Sequence, residues 1–180
     1  DALYRAIQKA KISAPPTTCL SPIGEERILE GLQKETDADF YAICTRPPSV
    51  YRGNPFQIEV GIAWAKPGDD RLDVDATGKI SKRKKKRGTF DTENLLGNAD
   101  DAVRILRFAN RVPLLSQQAS CGFTKAAIST AWKNYGLQQS KGSLPVGSAM
   151  IMVHMASVWV PFTSEAKEAI APYDEILKEV

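Results

Sequence analysis

The chain has 180 residues, 43% apolar and 25% charged, which suits one globular domain with appendages. No apolar run approaches the roughly 20 residues that cross a bilayer, and the start lacks the basic-then-apolar pattern of a signal peptide, so a cytoplasmic protein with no membrane partner is expected. The net charge of +3 is an uneven average: residues 79–87 hold seven positive charges, which leaves the remainder at −4.

Residues 1–12 read as the end of a helix, with Leu3 and Ile7 on one face, stopped by Pro15 and Pro16. Ser21 and Pro22 have the order of a cap followed by a first helical residue, and Ile23, Ile28, Leu29 and Leu32 give the next helix an apolar stripe. Residues 39–46 form a predicted strand, ended by Pro47 and Pro48. Gly53, Asn54 and Pro55 make a turn into residues 56–64. There Phe56, Ile58, Val60, Ile62 and Trp64 alternate with Gln57, Glu59, Gly61 and Ala63, the period of a half-buried strand. The two strands are expected to pair antiparallel, although the linker is long for a hairpin.

Residues 66–102 are rich in Asp, Lys, Gly and Thr, and read as an inserted, disordered loop carrying the basic run. Residues 103–112 resume strand character up to Pro113. Residues 117–133 read as a helix packing through Ala119, Phe123, Ala126, Ala127, Ile128 and Ala131, with Gly136 suited to a left-handed cap. Residues 149–160 are apolar on both faces, as in a central strand, and Pro161 closes them. A last helix is predicted from about 164 to at least 179, with Ser164 as its cap, Glu165 and Glu168 in its first turn, and Lys167 reaching out from the strand-to-helix corner. The order of elements predicts an α+β two-layer sandwich, a roughly four-stranded sheet backed by helices. A start at Asp1 and an end at Val180, inside a helical pattern, lead us to expect a piece of a longer protein.

The chemistry in these residues is sparse. Phosphate-binding glycine loops, a serine nucleophile elbow and zinc-protease motifs are all missing from the sequence. The single histidine, His154, lies mid-strand and reads as a packed or hydrogen-bonded core residue. Glu25 and Glu26 complement a helix dipole. Cys19, Cys44 and Cys121 are odd in number and far apart, which fits reduced thiols rather than disulfides or a metal site. Physics alone makes Lys167 a solvated helix lysine. Lys82, Arg83, Lys84, Lys85, Lys86 and Arg87 could neutralise several phosphates of a nucleic acid, or simply solubilise a loop. Trp132, Lys133 and Tyr135 could join base stacking to a phosphate contact, or the two aromatics could anchor the core with Lys133 in solvent.

Several stretches together resemble one family. APPTTCLSPIGEE (14–26), RPPSVYRGNPFQIEVGIAW (46–64), RILRFANRVPLL (104–115), WKNYGL (132–137) and VHMASVWVPFTSEAKEAIA (153–171) are similar to the transducer domain of the B subunit of archaeal DNA topoisomerase VI. The resemblance implies a fold shared with a ribosomal-protein domain. It also implies that residues 1–13 end a preceding helix-two-turns-helix region and that 14–180 are the transducer, with 66–102 inserted. By the same resemblance, ATP and Mg²⁺ are held by a GHKL-type ATPase domain elsewhere in the same polypeptide. An A subunit cleaves double-stranded DNA, and two B subunits complete an A2B2 heterotetramer that passes one duplex through another. Lys167 matches the lysine that contacts the terminal phosphate of ATP. Trp132, Lys133 and Tyr135 match a motif that engages DNA. No catalytic residue is implied within this chain. The rival reading from charge alone is a free-standing nucleic-acid-binding α+β module that uses the basic loop 79–87.

Overall fold

The computed structural model describes residues 2–10, 15–65, 72–74, 80–82, 96 and 100–180, with the backbone alone for 72–74 and 80–82. The helices are α1 (Ala2–Lys9), α2 (Glu25–Glu35), α3 (Gly122–Ser129) and α4 (Asp174–Glu179). The strands are β1 (Phe40–Thr45), β2 (Ser49–Tyr51), β3 (Asn54–Trp64), β4 (Leu72–Val74), β5 (Ile80–Lys82), β6 (Arg104–Ala109), β7 (Val112–Pro113) and β8 (Ala149–Ser157).

The sheet is built around β8, whose nine residues are all buried. One side pairs antiparallel with β3, from Phe56 opposite Ser157 to Trp64 opposite Ala149. The other pairs parallel with β6, from Arg104 opposite Met150 to Ala109 opposite Met155. The order is β1-β3-β8-β6-β7, with β2 on the start of β3, and β4 and β5 form a separate ribbon. The α+β class therefore holds, with two short strands more than the expected four in the main sheet. β2 resolves the long linker: residues Ser49–Tyr51 fold back on β3 through a two-residue turn at Arg52 and Gly53, both at positive φ. The single strand expected over 103–112 is a hairpin. Asn110 and Arg111, with φ of 46° and 68°, turn β6 into β7.

Helices cover both faces. Phe56, Ile58, Ile105, Ile151, Val153 and Met155 pack against Phe123 and Ala127 of α3 and Ile176 of α4. The opposite face puts Ala63, Met150 and Met152 against Ile28 and Leu32 of α2, with Leu96 filling the same cluster. β3 is thus buried on both sides, rather than on one as its alternation predicts; its small residues Gly61 and Ala63 are what admit α2. A Cβ at Gly61 would stand 2.8 Å from Leu32 Cδ1 and 2.9 Å from Ile28 Cγ2. Gly61→Ala is accordingly expected to lower stability by about 1–3 kcal/mol, the usual overpacking cost, as read by denaturant unfolding of this chain.

Four helix boundaries differ from expectation. α1 leaves Leu3, Tyr4 and Ile7 exposed, so its apolar stripe is not part of the core. α2 starts at Glu25 behind Gly24, with φ at 93°, and not at Ser21 and Pro22. The helix expected over 117–133 is only α3, flanked by 3₁₀ turns. Gln117 sits at φ 51° before it. Beyond it, the Ser129 and Thr130 hydroxyls both bond the Ala126 carbonyl, competing with further helix. The helix expected from 164 is absent until Asp174. β8 itself ends at Ser157, before Pro161, where the Asn110 side chain pairs with the Ser157 N–H and C=O at 2.9 Å each.

Candidate functional site

Lys167 occupies the tip of a closed turn and not a helix. Phe162 and Ile170 form a bridge, the Thr163 N–H donates to Ala169 O at 2.9 Å, and the Lys167 N–H donates to Ser164 O at 3.1 Å. Lys167 has φ 55°, a left-handed conformation that interrupts any helix begun at Ser164. Ala169 and Ile170 are fully buried, and the Gly122 N–H at the start of α3 donates to Ile170 O at 2.7 Å. Tertiary contacts therefore override the local helical preference and leave the lysine exposed on a short, held loop.

The second candidate group lies past the far end of α3. Trp132 is half-buried against the main core, and its indole N–H donates to Ala127 O at 2.6 Å. Tyr135 stands 75% exposed, with its ring 6.3 Å from that of Trp132 and tilted by 60°. Gly136 closes the turn at φ 78°, the left-handed cap expected of it. Trp132 thus anchors, while Lys133 and Tyr135 face solvent; the two readings of this motif are divided between its residues. Lys133 also lines two adjoining open depressions of about 470 and 250 Å³, the smaller shared with Lys141.

Lys82 ends β5, opposite Leu72. Arg83, Lys84, Lys85, Lys86 and Arg87 lie outside the described residues. Among the described residues no three His, Cys, Asp or Glu side chains cluster to hold a metal. The three cysteines are free.

A polar group missed by sequence reasoning sits on the α2 face. The Glu59 carboxylate is fully buried and accepts the N–H groups of Ile23 and Gly24 at 2.7 and 2.8 Å, at the entrance to α2. Its Oε2 lies 2.7 Å from His154 Nδ1, directly across the β3–β8 pairing. His154 Nε2 accepts the Arg111 N–H at 3.0 Å, so Nδ1 carries the proton and the ring is neutral. Burial pushes the His154 pKa down, against the opposing pull of Glu59. Its partners make this cluster a structural staple joining α2, β3, β8 and the β6–β7 turn. The alternation of β3 hid it, because Glu59 falls on the side that reads as solvent-facing.

The sequence model of the topoisomerase VI B subunit transducer matches residues 15–180. The chain belongs to this family. It is 47% identical over 178 residues to the B subunit of type 2 DNA topoisomerase 6 from Methanosarcina barkeri, and 48% identical over 178 residues to that of Methanococcoides burtonii. In each case 99% of the chain is covered against 24% of the relative, so the chain spans about a quarter of these relatives' length. Among solved structures, the B subunit of DNA gyrase from Myxococcus xanthus superposes with a TM-score of 0.43 at 14% identity, over 83% of this chain and 35% of that one. The transducer's described residues include no helix long and apolar enough to cross a membrane.

Proposed function

We propose that this transducer couples the ATP state of a topoisomerase VI B subunit to the passage of one DNA duplex through another. The observation that carries the reading is Lys167, an exposed cation at the tip of a turn whose base is locked into the core, in a chain of this family. A flexible ammonium senses a terminal phosphate by charge. Hydrolysis and phosphate loss remove its partner, and the rigid body carrying it is then free to move, a shift between two populated arrangements. The nucleotide and its Mg²⁺ belong to a domain beyond this chain, which contributes the lysine alone. The complex with an A subunit and a second B subunit is part of the same proposal. Its decisive test is Lys167→Ala in the full subunit, measured as ATP turnover and strand passage.

DNA contact is assigned to Lys133 and Tyr135, with Trp132 holding them in place. Lys133→Ala in the assembled enzyme is expected to weaken binding equally across DNA sequences and to lower the slope of log K against log salt by about 1. Tyr135→Ala should weaken binding without changing that slope, since stacking carries no charge. Trp132→Ala should instead destabilise the domain by about 1–3 kcal/mol as a half-buried aromatic anchor is lost. Unchanged binding in both Lys133→Ala and Tyr135→Ala would remove this corner from the DNA path.

A further inference from the structure

The Lys167 turn is held at two places by the segment that leads into α3. The buried hold is backbone: the Gly122 N–H donates to Ile170 O at 2.7 Å, and the Ile170 N–H lies 3.5 Å from Cys121 Sγ. The contact is close enough that a Cβ at Gly122 would stand 3.1 Å from Ala171 O and 3.2 Å from Pro172 Cα. The second hold is at the tip. Gln117 Nε2 donates to Glu168 Oε2 at 2.6 Å, one residue from the lysine. Gln117 and Lys167 are two of five non-glycine residues with positive φ among the described residues, at 51° and 55°. Each carries backbone strain, and such strain persists where surrounding contacts over-determine it.

The backbone hold fixes where the turn leaves the core, and the Thr163 and Lys167 N–H groups close the turn on itself. The Gln117–Glu168 hydrogen bond adds a side-chain tie beside the lysine, from the segment that precedes α3. We infer that Gln117, acting through the Glu168 carboxylate, is a positioning residue that aims the Lys167 ammonium. The inference rests on the reading of Lys167 as a phosphate contact. In this role Gln117 acts through Glu168 and sets how much of the time the cation points where it is needed. Because Gln117 also opens the segment that ends in the Trp132 turn, the aim of the lysine is set from the α3 side of the domain and not by the strand that precedes it.

The test uses the full B subunit assembled with its A subunit. Gln117→Asn tolerates the left-handed backbone but is too short to reach Glu168, and Glu168→Ala removes the acceptor. Each is expected to lower ATP turnover about 3- to 10-fold, the worth of one hydrogen bond, with KM for ATP within about twofold of wild type. The double variant should fall no further than either single one, because both remove the same bond. Glu168→Gln keeps an acceptor oxygen and should restore most of the turnover, which a merely structural role would not require. Wild-type turnover in Gln117→Asn and Glu168→Ala, alongside a damaged Lys167→Ala, overturns the positioning role and leaves the phosphate contact standing. Wild-type turnover in Lys167→Ala itself overturns both. Equal losses in Glu168→Gln and Glu168→Ala also overturn it, since the effect then follows charge and not this bond.

Discussion

Replacing Lys167 by alanine in the full subunit should reduce ATP turnover by about 100-fold, the loss that follows removal of one preorganised group stabilising transition-state charge. Strand passage should fall with it, while the thermal midpoint stays put. The stability forecast follows from the turn. Lysine and alanine carry the same Cβ penalty at φ 55°, and the side chain is exposed, so nothing in the fold registers the change. Lys167→Gly is the informative companion: it relieves strain, gaining up to about 1 kcal/mol of local stability, yet should be as inactive as the alanine variant. Lys167→Arg keeps the charge but presents a planar fork where a compact point charge is expected, and should recover only part of the rate. Wild-type ATPase and strand passage in Lys167→Ala would take this residue out of the mechanism.

Glu59→Ala is expected to destabilise the domain by about 3–5 kcal/mol, against the 5–15 kcal/mol total of a typical fold. The change strips partners from the Ile23 and Gly24 N–H groups and from His154 Nδ1 at once. Denaturant unfolding of the chain measures it directly, and a loss under about 1 kcal/mol would show that the staple holds little. The same cluster makes stability pH-dependent in a known direction. His154 has a depressed folded pKa, so its contribution is complete above the unfolded value of about 6.5 and is lost as pH falls through the folded value. In that window the unfolded chain takes up a proton that the folded one resists. His154 is the only histidine, so His154→Gln should flatten the fall in stability just below about pH 6.5.

The strands were readable because their burial repeats with a period of two or runs unbroken. Phe56, Ile58 and the 149–160 run marked β3 and β8, and the antiparallel pairing of β1 with β3 followed. The turn carrying Lys167 was not readable as a turn. Ser164, Glu165 and Glu168 are good helix-start residues, and only the tertiary seat of Ile170 on Gly122 overrules them. The same holds for Gln117, whose left-handed backbone nothing in its neighbours announces. The Glu59–His154 pair was out of reach for another reason: two polar residues 95 positions apart declare themselves only once β3 and β8 are side by side. Lys167, Trp132, Lys133 and Tyr135 drew their assigned roles from resemblance, and the geometry divides those last three into one half-buried anchor and two exposed side chains.

The placement of β8 between β3 and β6 has a consequence for where the chain tolerates insertions. The residues from Ala65 to Val103 do not join neighbouring strands. Their two feet are pinned to one short platform, where the Ala65 N–H reaches Ser148 O, the Gly147 N–H reaches Asp101 O and the Val103 N–H reaches Pro145 O, at 2.9, 2.9 and 2.8 Å. An excursion tethered in this way answers to no hairpin geometry, and doubling its length costs only about 0.6 kcal/mol of closure entropy. Leu96, which fills the α2 core, is thus held to the domain by packing, and insertions elsewhere between the two feet are expected to leave the register of the sheet unchanged.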